Sequence, residues 1–257
     1  MSSLERAGSL DASQTPSVSV ILPAYNERDR IGKTIKCLSD ILKKMGASYE
    51  IIVVDDGSTD GTGRVVQRFG NRSVKLISYG RNEGKGYALR RGFMESSGRY
   101  VVFMDSDMDV DPSQVKLYLR TLERADVVIG SKWHPKSRVE TSFLRKFLSR
   151  SFYALAKLLV GIRVSDTQVG LKAFRREGLE KIMKMQLVKR YAFDVELLAL
   201  ASLLKLRIVE LPVNLRLKGN FDLREVFRMI RDLLGIAYRL RVLKWYQKNI
   251  GDAGAGF

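Results

Sequence analysis

Apolar residues in the first half of the chain come in short blocks with polar stops. Residues 18–22, Val-Ser-Val-Ile-Leu, are stopped by Pro23. Residues 51–54 are four β-favouring apolar residues, cut off by Asp55-Asp56-Gly57-Ser58. Residues 74–78 and 100–104 repeat the pattern, the second ended by Asp105. Short apolar runs bounded by turn formers predict buried strands. Between them, Ile31, Ile35, Leu38, Ile41, Leu42 and Met45 have helical spacing, which predicts a helix over 31–45. Residues 62–69 and 85–96 are shorter helix candidates. Alternating helices and continuously apolar strands predict an α/β fold, with a mostly parallel central sheet flanked by helices. Ligands of such sheets bind beyond the carboxyl ends of the strands, where Pro23 to Glu27, Asp55-Asp56 and Asp105 to Asp109 all fall.

The second half adds strands at 126–130 and 208–211 and a helix at 193–204. A basic amphipathic helix is expected over 143–162, with Lys146, Arg150 and Lys157 on one side and Phe147, Leu148, Phe152, Leu155, Leu158 and Leu159 supplying apolar surface. A long helix is expected over 222–248, with Asp222 as its cap and Arg224, Arg228, Arg231 and Arg239 on one side. Residues 1–17 read as a flexible, Ser-rich leader without the apolar core of a signal peptide. No apolar run reaches the roughly 18–20 residues of a membrane span.

Charge sharpens this division. Residues 1–130 carry 19 Lys+Arg against 17 Asp+Glu, and residues 131–257 carry 26 against 11. The basic half should face an anion, either nucleic acid or a membrane surface. One cysteine and one histidine exclude disulfide frameworks and multi-histidine metal sites. A bound metal must rest on oxygen ligands, which points to Mg2+ or Mn2+.

Asp105-Ser106-Asp107-Met108-Asp109 places three carboxylates within five residues, and their repulsion favours a shared divalent cation. Such a cation would offset charge growing on a departing nucleotide diphosphate. The alternative is a solvated loop with Asp111 capping a helix at Pro112. Asp55-Asp56 could accept hydrogen bonds from a ribose or base, or could only form a turn. Residues 81–86, Arg-Asn-Glu-Gly-Lys-Gly, could meet an anion through backbone N–H groups and Lys85, or could be a structural left-handed turn. Asp194 and Glu196 could orient a sugar or simply start a helix. A nucleic-acid-binding module would leave the strand-end acids unexplained, so no nucleic-acid partner is expected.

Taken in order, Pro23-Ala24-Tyr25-Asn26-Glu27, Val54 to Asp60, Asn82-x-Gly84-Lys85-Gly86 and Asp105-x-Asp107 resemble the successive motifs of family 2 glycosyltransferases of the GT-A fold. Gly130-Ser131-Lys132, residues 166–172 (Asp-Thr-Gln-Val-Gly-Leu-Lys) and residues 193–197 (Phe-Asp-Val-Glu-Leu) resemble the polyprenyl-phosphate sugar transferases, and the Asp-Thr-Gln-x-Gly-x-Lys form is similar to dolichyl-phosphate glucosyltransferases rather than mannose synthases. The resemblance implies a catalytic domain over 18–214, containing the 143–162 interfacial helix, and a helical extension over 215–257. It implies that Pro23, Ala24, Tyr25 and Glu27 line a nucleoside pocket with Asp55 or Asp56, and that Lys85, Asp105 and Ser106 join the donor-binding set. Asp105, Asp107 and Asp109 would bind the metal. Lys132, Arg145 and Ser149 would hold an acceptor phosphate, and Asp107, Lys132, Arg145 and Asp194 would carry the chemistry. The implied reaction moves a hexose, glucose from UDP-glucose or else mannose from GDP-mannose, onto a polyprenyl or dolichyl phosphate with inversion. Polysaccharide or protein acceptors are the alternative. Attachment would be peripheral, on the cytoplasmic face of a membrane, and the apolar helix faces could also serve a homo-oligomer.

Overall fold

A computed structural model describes residues 15–70, 73–217 and 223–250. The predicted apolar blocks form β1 (Val18–Ala24), β2 (Tyr49–Asp55), β3 (Val74–Ser78) and β4 (Tyr100–Met104). With β5 (Val127–Ser131), β7 (Leu171–Arg175) and β8 (Ile208–Pro212), they build one seven-stranded sheet in the order β3-β2-β1-β4-β7-β5-β8. Only β7 runs antiparallel to its neighbours, β4 and β5. A small parallel pair, β6 (Arg138–Glu140) with β9 (Asn214–Arg216), lies beside it. The sheet is therefore mostly parallel.

Alternate residues of each strand feed two cores. Val20 and Leu22 of β1 pack with Ile31, Ile35 and Leu38 of α1 (Arg28–Lys44) on one face. Ile21 packs on the other, with Leu89 of α3 (Lys85–Met94) and Leu197 of α7 (Phe193–Leu203). Full burial on both faces is why these strands read as unbroken apolar runs. Further helices are α2 (Thr62–Gln67), α4 (Val115–Thr121), α5 (Phe143–Val160) and α6 (Arg176–Met185). Asp111 does cap a single 3-10 turn at Pro112–Gln114, through its carboxylate and the Ser113 amide at 2.9 Å.

The strand β7 and helix α6 are absent from the sequence expectations, because Leu171-Lys172-Ala173-Phe174-Arg175 carries a buried charge that breaks the apolar run. The expected 222–248 helix is also different. It forms α8 (Leu223–Ala237), passes into a π-helical segment (Tyr238–Val242), and breaks at Lys244, whose φ is +50°. A short α9 (Trp245–Asn249) then folds back. Arg239 turns inward instead of joining a solvent-facing basic stripe. Asp222 and the Arg224 side chain lie outside the described residues, as does most of the expected 1–17 leader. Around the expected boundary at 214, β9 pairs with β6, and Leu233, Ile236 and Tyr246 enter the same core as β1. Among the described residues, no helix is long and apolar enough to cross a membrane.

Candidate active site

The parallel strands β1, β2 and β4 end along one rim, and the loops that follow them are laced together. The Asn26 amide donates to Ser58 Oγ and the Thr59 amide donates to Asn26 Oδ1, both at 2.9 Å. The Ser106 hydroxyl donates to the Pro23 carbonyl at 2.8 Å, while the Ser106 carbonyl accepts from Thr34 of α1 at 2.9 Å. Ser106 thus fixes the acidic loop with both its side chain and backbone.

Asp55 and Asp56 have separate jobs. Asp55 turns back to accept from the Ser58 amide at 3.0 Å and is absent from the cavity wall. Asp56 accepts from the amides of Glu83 and Gly84 at 2.8 and 2.9 Å, so it shapes the turn that opens α3. Gly84 has φ of +106°, and a Cβ there would sit 2.8 Å from the Lys189 carbonyl. Both conditions require glycine.

A cavity of about 470 Å³ opens over this rim. Of the sequence-derived donor residues, Pro23, Ala24, Tyr25, Glu27, Asp56, Lys85, Asp105 and Ser106 line it, joined by Asp107. Arg190, Tyr191 and Arg228 also line it and are absent from the sequence-derived set. Arg190-Tyr191 directly precedes the 193–197 motif, which was the available signal for them. Arg228 offered only its charge. Burial raises the Glu27 pKa to about 7, against the opposing effect of Arg30, whose Nε lies 2.8 Å away.

A second cavity, about 420 Å³, adjoins the first and shares Lys85, Asp105, Asp107 and Tyr191 with it. Its wall carries Asp109, Lys132, Arg145, Ser149 and Asp194, so the expected acceptor and donor sets meet across the same carboxylates. Leu148 and Phe152 of α5 supply apolar wall.

A line of alternating charge runs from the cavity wall inward, partly buried at Asp105 and Lys85 and buried at Asp194 and Lys172. Lys85 Nζ lies 2.7 Å from Asp105 and 3.7 Å from Asp194, and Lys172 Nζ lies 2.8 Å from the other Asp194 oxygen. Burial raises the Asp105 pKa, with Asp107 adding to it against the pull of Lys85. Burial opposes the charge of Asp194, but Lys172 and Lys85 outweigh it and hold the carboxyl below its usual range. Gly170 makes the close approach of Asp105 feasible. Its carbonyl accepts the Asp105 amide at 3.1 Å, and a Cβ there would collide with the Asp105 carboxylate.

Two sequence-derived residues are engaged in ways the sequence did not indicate. Lys132 is tied to Asp166 by its ammonium at 2.9 Å and its amide at 2.8 Å, so much of its charge is already balanced. Glu196 lies outside the cavity, completely buried, and accepts the amides of Leu187 and Val188 at 2.9 and 2.7 Å.

Among the described residues, no three Asp, Glu, His or Cys side chains are grouped to hold a metal ion. Met108, at φ +62°, and an Asp109 amide bond to Asp107 Oδ1 at 2.9 Å bend the loop between its last two acids. The donor set still fits a hard divalent cation. Burial and then Asp107 raise the Asp109 pKa to about 6, a repulsion that a cation relieves. Magnesium-type ions need only one or two protein carboxylates, with phosphate oxygens and water completing the shell.

The glycosyl transferase family 2 model matches residues 19–183. A dolichyl-phosphate beta-glucosyltransferase of Drosophila melanogaster is 35% identical over 258 residues, covering 92% of this chain and 79% of that protein. Its Homo sapiens counterpart is 33% identical, covering 91% and 78%. Among solved structures, glucosyl-3-phosphoglycerate synthase from Mycobacterium tuberculosis, in complex with Mn2+, UDP-glucose and phosphoglyceric acid, superposes with a TM-score of 0.68 at 25% identity, covering 87% of this chain and 79% of that one. The same enzyme bound to UDP gives a TM-score of 0.67, also at 25% identity.

Proposed function

The chain belongs to glycosyl transferase family 2, and from that premise we propose that it transfers glucose from UDP-glucose to dolichyl phosphate, forming a β-linked lipid-phosphate sugar. The observation that carries this reading is the pair of adjoining cavities that share Asp105 and Asp107, the second of which adds Lys132 and Arg145 to its wall.

In this reading the nucleoside lies against Pro23, Ala24, Tyr25 and Glu27, with Asp56 holding the turn beside it. Asp55 supports that loop from below. Asp107 with Asp105 or Asp109 would hold a divalent cation, which would neutralise charge growing on the departing diphosphate. Lys85 balances Asp105 and Asp194 and keeps the acidic wall compact without the ion.

The acceptor needs little base chemistry. A phosphate monoester has a second pKa of about 6, so it is largely dianionic near neutral pH. Its difficulty is repulsion from the donor, and Arg145 is the side chain suited to overcome it. Arg offers a planar fork to phosphate. Lys132, already shared with Asp166, and Ser149 complete that wall. Asp194 acts through Lys85 and Lys172, as a positioning residue. A single in-line displacement inverts the α-linked donor to a β-linked product.

The lipid must arrive from a membrane surface. Phe143 and Phe147 of α5 are 84% and 59% exposed, beside Arg145, Lys146 and Arg150. Phe227 of α8 is also exposed. Apolar and cationic residues so interleaved support peripheral attachment, on the cytoplasmic face of a membrane in this reading. In this reading residues 18–214 carry the catalytic motifs, and the segment after 214 completes the same core.

Donor choice and metal use are tested together. Purified protein receives labelled UDP-glucose or GDP-mannose with dolichyl phosphate and Mg2+ or Mn2+. Glucose transfer in either metal is expected, lost on chelation. Preferred mannose transfer, or activity indifferent to chelation, contradicts the assignment.

A further inference from the structure

The family match ends at residue 183, yet the chain beyond it returns to the site. α8 contributes Arg228 to the wall of the donor cavity, and Val226 and Met229 to the acceptor cavity. One helix thus roofs both. Arg190, from the segment before α7, enters the donor cavity as well.

Both segments are fastened to one buried carboxylate. Glu196 Oε2 accepts the amides of Leu187 and Val188, three and two residues upstream of Arg190. Glu196 Oε1 takes a short hydrogen bond from the Tyr246 hydroxyl, and Arg239 Nη2 lies 3.5 Å from it. Arg239 Nε donates to the Tyr246 hydroxyl at 2.9 Å, closing the triangle. Tyr246 reaches Glu196 only because the chain breaks at Lys244 and folds back. The break therefore spends a left-handed residue to anchor the end of the α8 arm. Truncating one partner of such a buried network leaves charge unpaired, so the arm's position is strongly determined.

The donor cavity needs cations from this direction. Glu27, Asp56, Asp105 and Asp107 face it, and the Lys85 ammonium is already engaged by Asp105 and Asp194. A nucleotide diphosphate entering there meets four carboxyl groups, and Arg190 and Arg228 are the further cations on the wall. Arginine can offer bidentate, charge-assisted hydrogen bonds to phosphate.

We propose that α8 is part of the donor site, with Arg228 binding the diphosphate of the nucleotide sugar and the Glu196–Arg239–Tyr246 anchor positioning it. This rests on the donor reading given above. Arg228 is the binding residue, and Tyr246 acts through it.

The test is UDP binding by calorimetry in Mg2+, without turnover. Arg228→Ala should weaken UDP about 10-fold or more, as expected for a lost charge-assisted bond, with Arg228→Lys recovering part. Tyr246→Phe should weaken UDP several-fold in the wild-type background and add nothing in the Arg228→Ala background, since coupled residues are non-additive. Circular dichroism should be unchanged in each variant. UDP affinity within twofold of wild type for a folded Arg228→Ala overturns the assignment. Equal weakening by Tyr246→Phe in both backgrounds overturns the positioning role. Failure of the wild-type protein to bind UDP instead refutes the donor reading itself.

Discussion

Asp194 sits at the centre of the buried charge line, and Asp194→Asn isolates its role. Lys172 is 2% exposed, with Asp194 at 2.8 Å and the Val169 carbonyl at 2.7 Å as its partners. Removing the carboxylate charge leaves a buried ammonium with only neutral acceptors, the Val169 carbonyl and the new amide oxygen. Breaking a buried pair this way costs about 3–5 kcal/mol. The penalty has a ceiling, because Lys172 can discharge. Burial already lowers its pKa even though Asp194 raises it, so losing Asp194 lowers it further. A folded-state pKa below the unfolded value of about 10.4 means that the variant regains stability as pH rises towards that value. Urea unfolding at pH 7 and pH 9.5 measures both effects. A loss of about 3–5 kcal/mol at pH 7 that shrinks at pH 9.5 is expected. A loss under about 1 kcal/mol, or one independent of pH, would refute the charge-line reasoning.

Three other outcomes follow from the same structure. Gly170→Ala should push the Asp105 carboxylate from its place and lower kcat/KM on the order of 100-fold, the scale of a misplaced reacting group; near-wild-type kinetics would show that Asp105 tolerates displacement. Glu27 has a folded-state pKa of about 7 against 4.5 unfolded, so its ionisation costs stability as pH rises through that window; Glu27→Gln should therefore raise Tm at pH 8 and change little at pH 4, and the reverse order would contradict it. Glu50 is the opposite case: burial opposes its charge, but hydrogen bonds from Lys75, Ser19 and the Ser97 amide outweigh it and lower the pKa, so Glu50→Gln should cost stability at pH 7 and converge with wild type as pH falls through the folded-state value; a gap that persists in acid would count against it.

The parallel strands were legible because burial on both faces leaves contiguous apolar residues with polar stops. β3 and β4 match their expected limits, β1 runs on into Ala24, and β2 extends at both ends, from Tyr49 to Asp55. β7 was hidden because Lys172 belongs to a charge line whose other members, Lys85 and Asp194, are far away in sequence. The acidic rim was legible because strand ends in a parallel sheet converge. Which acids face the cavity was not: Asp55 and Asp56 are adjacent, yet Asp55 folds onto Ser58 and Asp56 onto the Glu83-Gly84 turn. Lys132 looked like a ready phosphate ligand until Asp166, 34 residues later, proved to hold it. The break at Lys244 was invisible for a similar reason. Helical periodicity runs through it, and the partners that hold the folded-back Tyr246, among them Glu196, are distant in sequence.

The central claim is that the two adjoining cavities bring a nucleotide sugar and a lipid phosphate together. Incubating the protein with UDP-[14C]glucose, Mg2+ and dolichyl phosphate in mixed vesicles, then extracting the lipid phase, tests it most directly. Labelled glucose should move into an acid-labile, β-linked lipid, and Arg145→Ala should raise the KM for dolichyl phosphate while leaving that for UDP-glucose near wild type. Label that passes only to water or to a soluble phosphate such as phosphoglycerate would contradict it.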